Sequence, residues 1–521
     1  MMFVRERAGG LQTAWPVLAG LAQAASIAMP GSGQAQGWLQ ILSLVMLATV
    51  LVRIAKLHPL SPRAWRQSAW SSGVFATTWL AGSFWWLYVS MHDVGGLPAA
   101  LAVVAVLALA AALALYYAVA CAVWVIWVRD GLASQRPGLA SALFAALWTL
   151  AELMRGRWLT GFPWGAGGYA HVDGVLAVWA PWLGVYGIGA IAAWLAMRMA
   201  LSAWRLQSLK ALVLVMGVSL GLQAWGPSFT TSAGMGRVAL LQANISQSTK
   251  FDAASGIRDA LQWYNAQLRS QQQPLIVAPE TAIPIMPRYL PDGYWSGLQQ
   301  HFASKGHQMA LLGVPLGDRG QGYTNSVVAL GPEGMGNYQY DKSHLVPFGE
   351  FIPPGFVWFV RMMNIPLGDF NPGGWQQASV LWQGQRLAPN VCYEDLFGEE
   401  LAIRFKVPGQ APTAMVNVSN IAWFGDTLAV DQHLSISRMR AMELQRPMLR
   451  ATNTGATAII DHQGRVTAQL PRFTRSSLEG EYEGRNGLTP FAWWAGQWGL
   501  WPLWGLCCAV LAFGVWCKRK A

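Results

Sequence analysis

Charge is scarce in this sequence. Only 12% of its 521 residues are Asp, Glu, Lys or Arg, about half the roughly 25% of an ordinary soluble protein. Mean hydropathy is +0.29, with 53% of residues hydrophobic, which excludes a disordered or wholly soluble chain. Acidic residues are the scarcer sign, 25 against 36 basic, leaving a net charge of +11. That excess does not mark a nucleic-acid binder. The Lys and Arg of the apolar blocks gather in short loops, the pattern of membrane topology and not of a phosphate-binding face. Cysteine is scarce too: of five, Cys121, Cys507, Cys508 and Cys517 fall in or beside apolar segments. Cys392 therefore has no disulfide partner in the polar part of the chain and reads as a free thiol. No CxxC or Cys/His spacing points to zinc, and no GxGxxG or Walker loop points to a nucleotide. No metal or cofactor is expected.

What is present is apolar length and tryptophan, 29 residues of it, a residue that favours membrane interfaces. Apolar segments cover 11–29, 38–52, 69–90, 97–128, 138–154, 178–197, 211–226 and 491–515, most near the ~20 residues that a bilayer requires. The first reads as a retained helix, because further spans follow it. Alternating the loops sorts the basic residues. Arg5, Arg7, Arg53, Lys56, Arg63, Arg66, Arg129, Arg136, Arg198, Arg205, Lys210, Lys518, Arg519 and Lys520 fall on one side, and only Arg155 and Arg157 in short loops of the other. The positive-inside rule makes the first side cytoplasmic. The expected layout is a seven-helix membrane domain over 1–227, an extracytoplasmic domain over 228–487, and a last span with a basic cytoplasmic tail over 488–521.

Two loops on the outer side stand out. One is Trp85-Trp86-Leu-Tyr88 running into Gly95-Gly96; the other is Arg157 to Tyr169, rich in Gly and aromatics. Each reads either as an interfacial anchor or as a lipid-handling surface. Arg155 and Arg157 either meet phospholipid headgroups or end the fifth helix.

Residues 228–487 have the composition of a soluble domain, and about 260 residues can bury their own core. Buried strands are expected at 237–244, 274–279, 309–315, 325–330, 336–340, 380–382, 387–391 and 413–418, with further strands in 449–456 and 457–470. Helices are expected at 253–271 and 426–445. Continuous apolar strands alternating with helices predict an α/β layered sandwich.

Chemistry gathers at three places. Pro389-Asn-Val-Cys-Tyr-Glu-Asp395 sets Cys392 where a strand gives way to a polar helix start. Backbone N–H groups and a helix end there favour thiolate and an oxyanion, so Cys392 reads either as a nucleophile or as a buried, inert cysteine. Glu280 caps the apolar run Leu275-Ile-Val-Ala-Pro279. Lys342 lies in Tyr340-Asp-Lys-Ser-His-Leu-Val-Pro-Phe-Gly-Glu350, where it is either a surface charge or a catalytic one; Glu350 is equally compatible with a turn. A thiol of pKa about 8.5 requires a base or a cation to act at neutral pH. His344, His433 and His462 show no recognisable spacing.

The order Glu280, Lys342, Cys392 resembles the catalytic triad of the nitrilase superfamily. Longer stretches are similar to the apolipoprotein N-acyltransferase family within it: Ala278 to Pro284, Asp341 to Pro353, Asn390 to Glu394, Asn417 to Gly425, Arg438 to Glu443, and, among the spans, Thr160 to Trp164 and Gly184 to Gly187. The resemblance covers nearly the whole chain. It implies a multi-span α-helical membrane domain joined to a nitrilase-like αββα sandwich. It also implies an acyltransferase that takes an acyl chain from a phospholipid, usually phosphatidylethanolamine, onto Cys392 and passes it to the N-terminal amine of diacylglyceryl apolipoproteins. Glu280 would be the base and Lys342 the oxyanion partner. Glu350, Glu394 and Tyr393 would support them, and Phe251, Trp164, Asn325, Phe348, Trp423 and Phe424 would meet lipid. A monomer in a bacterial inner membrane, with a periplasmic catalytic domain, is the expected setting. This sequence departs from the family in carrying Ile421 where Asp is frequent and Phe251 where Trp is common, and in the small residues that follow Trp164. The two rival readings are a membrane-tethered amidase, with water as acceptor, and a transporter or scaffold with a dead enzyme domain.

Overall fold

The computed structural model describes residues 2–57, 63–128, 132–202, 206–252, 255–318, 320, 322–362 and 369–520. The chain divides into two compact units. One comprises Met1–Trp85, Ala100–Pro227 and Leu500–Ala521, the other Trp86–Ala99 and Ser228–Gly499.

The first unit is helical. Among the described residues, five helices are long and apolar enough to cross a membrane: Gly37–Leu57, Ala99–Val128, Pro137–Thr160, Val175–Ser202 and Trp501–Arg519. Helices also form at the three other expected spans, Met2–Ile27, Arg63–Phe84 and Leu206–Trp225. Only Ala14–Ile27 and Leu209–Trp225 of the outer two are apolar stretches. Arg63–Phe84 is more polar because it buries Ser68, Ser71, Ser72 and Ser83; the Ser72 hydroxyl donates to the Ser68 carbonyl at 2.6 Å. Arg155 is buried and does not reach outward. It donates to the Tyr117 hydroxyl (2.9 Å), the carbonyls of Phe162 and Trp164 (2.6 and 2.8 Å) and Glu152 (3.2 Å). A guanidinium with carbonyl and carboxylate partners is an internal brace of the 157–169 loop, so the headgroup role open to Arg155 falls away.

The second unit is a four-layer αββα sandwich. One sheet takes the order β12-β1-β2-β3-β4-β5 and the other β11-β10-β9-β8-β7-β6. The strands are β1 Thr230–Gln242, β2 Leu275–Val277, β3 Met309–Asp318, β4 Gly322–Leu330, β5 Tyr338–Asp341, β6 Val380–Trp382, β7 Gln385–Val391, β8 Ala414–Ser419, β9 Met448–Thr452, β10 Ala458–Ile460, β11 Val466–Gln469 and β12 Ser476–Gly487. The centres, β1-β2-β3 and β7-β8-β9, are parallel, and the flanking pairs antiparallel.

Alternation explains the layers. Val238, Leu240, Leu275 and Val277 of one sheet meet Leu387, Val391, Val416 and Val418 of the other in the central core. The intervening Leu241, Ile276, Ala310 and Leu312 face helices Gly256–Ser270 and Tyr294–Ser304. Ala388 and Met415 face helices Gly398–Ala402, Ala429–Leu444 and Pro490–Trp498. Both faces of the inner strands are buried, which is why they read as unbroken apolar runs.

Three elements were not expected from sequence: the helix Tyr294–Ser304, the long β12, and the break of the last apolar segment. Residues 491–515 are not one span. Gly499 takes φ 57°, and Pro490–Trp498 ahead of it packs Phe491, Ala492 and Ala495 onto Leu401, Phe405 and Leu444. The Thr489 hydroxyl caps it, accepting from Ala492 N at 3.0 Å and donating to the Glu443 carbonyl at 2.7 Å. The second unit thus extends past Gly487 to Gly499. It also takes in Trp86–Ala99, where Trp86 is buried, donates to Gln432 Oε1 at 3.0 Å and packs on Phe424.

Candidate active site

The site forms where strands end. β7 runs out at Val391, and Cys392 opens a short 3-10 turn, Cys392–Leu396. β2 runs out at Val277, three residues before Glu280. Lys342 follows β5 directly, and Asn420 follows β8. Carboxyl ends of parallel strands are where open α/β sheets place ligands. The preceding hairpin fixes the register of the nucleophile strand. Gln383 and Gly384, both at positive φ, make its two-residue turn, the geometry that suits a tight hairpin.

Cys392 sits at φ 51°, a left-handed conformation that strains a residue with a Cβ. The surroundings hold it there. The Cys392 carbonyl accepts from His433 Nε2 at 3.2 Å and Asn417 Nδ2 at 3.5 Å. His433 Nδ1 accepts from Arg450 Nη2 at 2.7 Å. Because Arg450 can only donate, His433 carries its proton on Nε2. Burial, then Arg450, hold the imidazole well below its ordinary pKa, so it stays neutral. Arg450 in turn reaches Asp395 Oδ2 at 3.3 Å, Asn417 Oδ1 at 3.2 Å and Ser437 Oγ at 2.6 Å. Sequence reasoning missed this support. Its signal was an Arg inside the apolar strand Met448-Leu-Arg-Ala-Thr452.

Glu280, Lys342 and Glu350 come together in the structure. Lys342 Nζ lies 3.4 Å from Glu280 Oε1 and 2.9 Å from Glu350 Oε2, and is 1% exposed. Burial opposes its charge, but Glu350, Glu280 and Cys392 outweigh burial and push its pKa above the ordinary lysine value. Glu350 accepts from Val346 N at 2.8 Å within its turn, and its pairing with Lys342 takes it beyond the turn. Asn325, expected among lipid contacts, is buried instead. Its Nδ2 donates to Oε1 of both Glu280 and Glu350 at 2.7 Å; an amide with both protons engaged by carboxylates is part of the polar cluster.

The surroundings of the thiol oppose its ionisation. Burial, then Glu280, push Cys392 up to about 12, against Lys342, the Ser419 side chain and the Asn420 N–H, which pull it down. The turn after Cys392 is only five residues of 3-10 helix, too short for a strong dipole, so the helix end expected to favour thiolate gives little help there. The Asn420 N–H serves two groups, since it also donates to Glu280 Oε2 at 2.9 Å. A base beside a protonated thiol, with an ammonium alongside, is competent for general-base-assisted attack on an acyl carbon.

Glu394 is a knot between strands. It accepts from the Tyr340 hydroxyl (2.7 Å), Ser343 N (2.7 Å), His344 N (3.3 Å) and Val391 N (2.6 Å). It thereby ties the Lys342 segment to the cysteine strand. Tyr393 is buried with its ring against His344 and Phe397. His344, stacked on Phe397 and 3.0 Å from Glu400 Oε2, is a further residue the spacing did not reveal.

The aromatic candidates divide. Phe251 is 41% exposed. Phe348, at φ 64°, packs edge-on to Phe356 and Phe359. Trp423 is half-buried, and the Phe424 ring lies 4.3 Å from that of Trp86. Trp164 is buried in the helical unit. Ile421 is 1% exposed, so an apolar side chain suits the position.

Residues 237–481 match the carbon-nitrogen hydrolase family, and residues 13–198 match the apolipoprotein N-acyltransferase N-terminal domain. An apolipoprotein N-acyltransferase of Verminephrobacter eiseniae is 52% identical over 94% of this chain and 93% of its own length. One of Ralstonia nicotianae is 47% identical over 87% and 85%. Among solved structures, the C. elegans NitFhit protein matches 49% of this chain and 62% of its own at 15% identity, TM-score 0.38. Matches that span both units at this identity establish that the chain belongs to the apolipoprotein N-acyltransferase family.

Proposed function

We propose that this chain moves an acyl chain from a membrane phospholipid to the N-terminal α-amine of diacylglyceryl-cysteine apolipoproteins, through a thioester on Cys392. The observation that carries the reading is the set of half-buried Cys392 with buried Glu280 and Lys342, in a chain whose relatives are named for N-acylation.

In the first half-reaction Glu280 takes the Sγ proton as sulfur attacks the ester carbonyl carbon. Negative charge builds on the carbonyl oxygen, and the Lys342 ammonium offsets it. The C–O ester bond then breaks, and Glu280 returns its proton to the departing lysophospholipid oxygen. In the second half-reaction the α-amine attacks the thioester in its neutral form, populated near its pKa of about 8. Glu280 takes an amine proton, the C–S bond breaks, and the sulfur is reprotonated. A thioester is exchanged for a more stable amide, so neither ATP nor a metal is required. Asn325 and Glu350 hold Lys342 and Glu280 in place, and Glu394 with Tyr393 holds the nucleophile strand against them.

In the fuller proposal the donor is phosphatidylethanolamine and the protein is a monomer of the bacterial inner membrane. Both termini are cytoplasmic and the catalytic unit is periplasmic, an orientation supported by the distribution of Lys and Arg. Phe251, Phe348, Trp423 and Trp164 are its candidate lipid contacts.

The test is intact mass of detergent-purified protein after incubation with phosphatidylethanolamine. A gain of one fatty-acyl mass by the wild type and none by Cys392→Ala is expected, with a diacylglyceryl-cysteine peptide removing the adduct. Discharge by water at the same rate as by the peptide would favour an amidase instead. No adduct under any condition would overturn the reading.

A further inference from the structure

Lys250 is a second buried lysine beside the triad, and the mechanism above does not use it. It is 2% exposed. Its Nζ donates to the Thr281 hydroxyl at 2.5 Å and faces the Glu280 carbonyl at 3.3 Å. Thr281 stands at φ 47°, an unfavourable conformation for a β-branched residue. Gly313 on β3 presses the same turn. A Cβ at Gly313 would lie 2.3 Å from the Pro279 carbonyl, 2.7 Å from Glu280 Cα and 2.7 Å from Thr281 N. The turn that aims Glu280 is therefore backed by a bare strand backbone and tied down by an ammonium.

We propose that Lys250 is a positioning residue for the general base: its ammonium locks the Glu280–Thr281 turn and places a second positive charge beside the carboxylate and the thiol. The inference rests on the acyltransferase reading and deepens it. Two neutral or carbonyl partners are a poor return for burying a full charge. A clamp alone would be served by an uncharged donor. What justifies the charge is the Glu280 carboxylate beside it and the Cys392 thiol, which turns anionic as it gives up its proton. Glu280 and Cys392 both favour the protonated lysine, while burial holds Lys250 down to about 8.

Among the described residues, the titratable groups that act on Lys250 are Glu280 and Cys392, and its Nζ also lies 5.9 Å from the centre of the Phe251 ring. The Glu280 carboxylate meets Lys342, the Asn325 amide that it shares with Glu350, and the Asn420 N–H. Lys342 is shared with Glu350, whereas Lys250 bonds at the Glu280 main chain. Removing a cation makes a neighbouring carboxylate easier to protonate. A protonated Glu280 cannot accept the thiol proton, so acylation would fail from a higher pH downward.

The experiment follows formation of the acyl-enzyme by intact mass across pH, in the full-length protein with phosphatidylethanolamine. Lys250→Met, Lys250→Gln and Lys250→Arg are compared with the wild type, with melting temperature recorded for each. For Lys250→Met we expect the acidic limb to move up by about one pH unit and acylation at neutral pH to fall roughly 10- to 100-fold. Lys250→Gln keeps a hydrogen-bond donor without the charge; it should move the limb and spare much of the melting temperature. Lys250→Arg should restore the limb. Limbs that coincide with wild type in both uncharged variants, whatever their melting temperatures, overturn the proposal; if Lys250→Met does not fold, Lys250→Gln alone decides. Wild type that forms no adduct refutes the acyltransferase reading itself, a different outcome from variants that match it.

Discussion

Asn325 stands between Glu280 and Glu350 and donates one amide proton to each, at 2.7 Å. Two carboxylates that share one ammonium would otherwise repel across it. Asn325→Ala removes both bonds, and bonds to charged groups contribute about 1.5–3 kcal/mol each. We expect acyl-enzyme formation to slow by roughly 10- to 100-fold in a folded protein. Asn325→Asp adds a third negative charge and should be worse than Ala. An Asp variant that acylates faster than Ala would show that the amide merely fills space.

Lys342→Met keeps the bulk and removes the charge. Loss of one oxyanion donor costs about 100- to 1000-fold in rate, and acylation should fall by that much while phospholipid still binds. Single-turnover acylation separates the two. A wild-type rate in this variant would remove Lys342 from the chemical step.

The Cys392 thiol, pushed up to about 12 chiefly by burial, predicts a neutral S–H in the resting enzyme. Thiolate has its own ultraviolet absorption, and the difference between wild type and Cys392→Ala isolates this sulfur from the other four. The sign follows from the direction of the shift: a raised pKa means that the band grows only well above the ordinary thiol range of about 8.5. A band already present at neutral pH would mean a preformed thiolate and would make Glu280 dispensable as a base.

Much of this site was legible because its chemistry sits where strands end. The apolar runs Leu275-Ile-Val and Leu387 to Val391 announce strands, and Glu280 and Cys392 interrupt them with polar atoms. The supporting residues were not legible, for a physical reason. Asn325, Lys250, His433 and Arg450 act through side-chain bonds to groups distant in sequence, such as Arg450 reaching Asn417 33 residues away and Asp395 55 residues away, and periodicity carries no trace of such pairs. The membrane unit shows the same limit. A hydropathy window registers apolar length, so it joined residues 491–515 across Gly499, where a positive φ divides one helix from the next.

Glu394 makes a different kind of prediction. As a carboxylate it only accepts, and it receives four donors from Tyr340, Ser343, His344 and Val391. Glu394→Gln turns an NH2 group toward at least one of those donors and removes the charge. We expect a loss of about 2 kcal/mol or more, seen as a melting temperature lower by several degrees, together with slower acylation. Equal melting temperatures for the two proteins would mean that the knot contributes little.

His433 links the elbow to pH. Its folded pKa is depressed, first by burial and then by Arg450, so below the ordinary His value of about 6.5 the unfolded chain binds the extra proton and the folded chain does not. Stability from this site therefore falls as pH drops below that value. Asp395 acts in the opposite sense: burial raises it to about 6, so the folded state takes up its proton first on acidification. The two are separated by substitution. His433→Gln removes the titrating ring, and its melting temperature should fall less between neutral and mildly acidic pH than that of the wild type. It should also lower acylation at neutral pH, because the Cys392 carbonyl loses the Nε2–H that steadies a left-handed residue. Parallel melting curves across pH would show that the histidine is not held neutral, and unchanged acylation would show that the strained elbow stands without it.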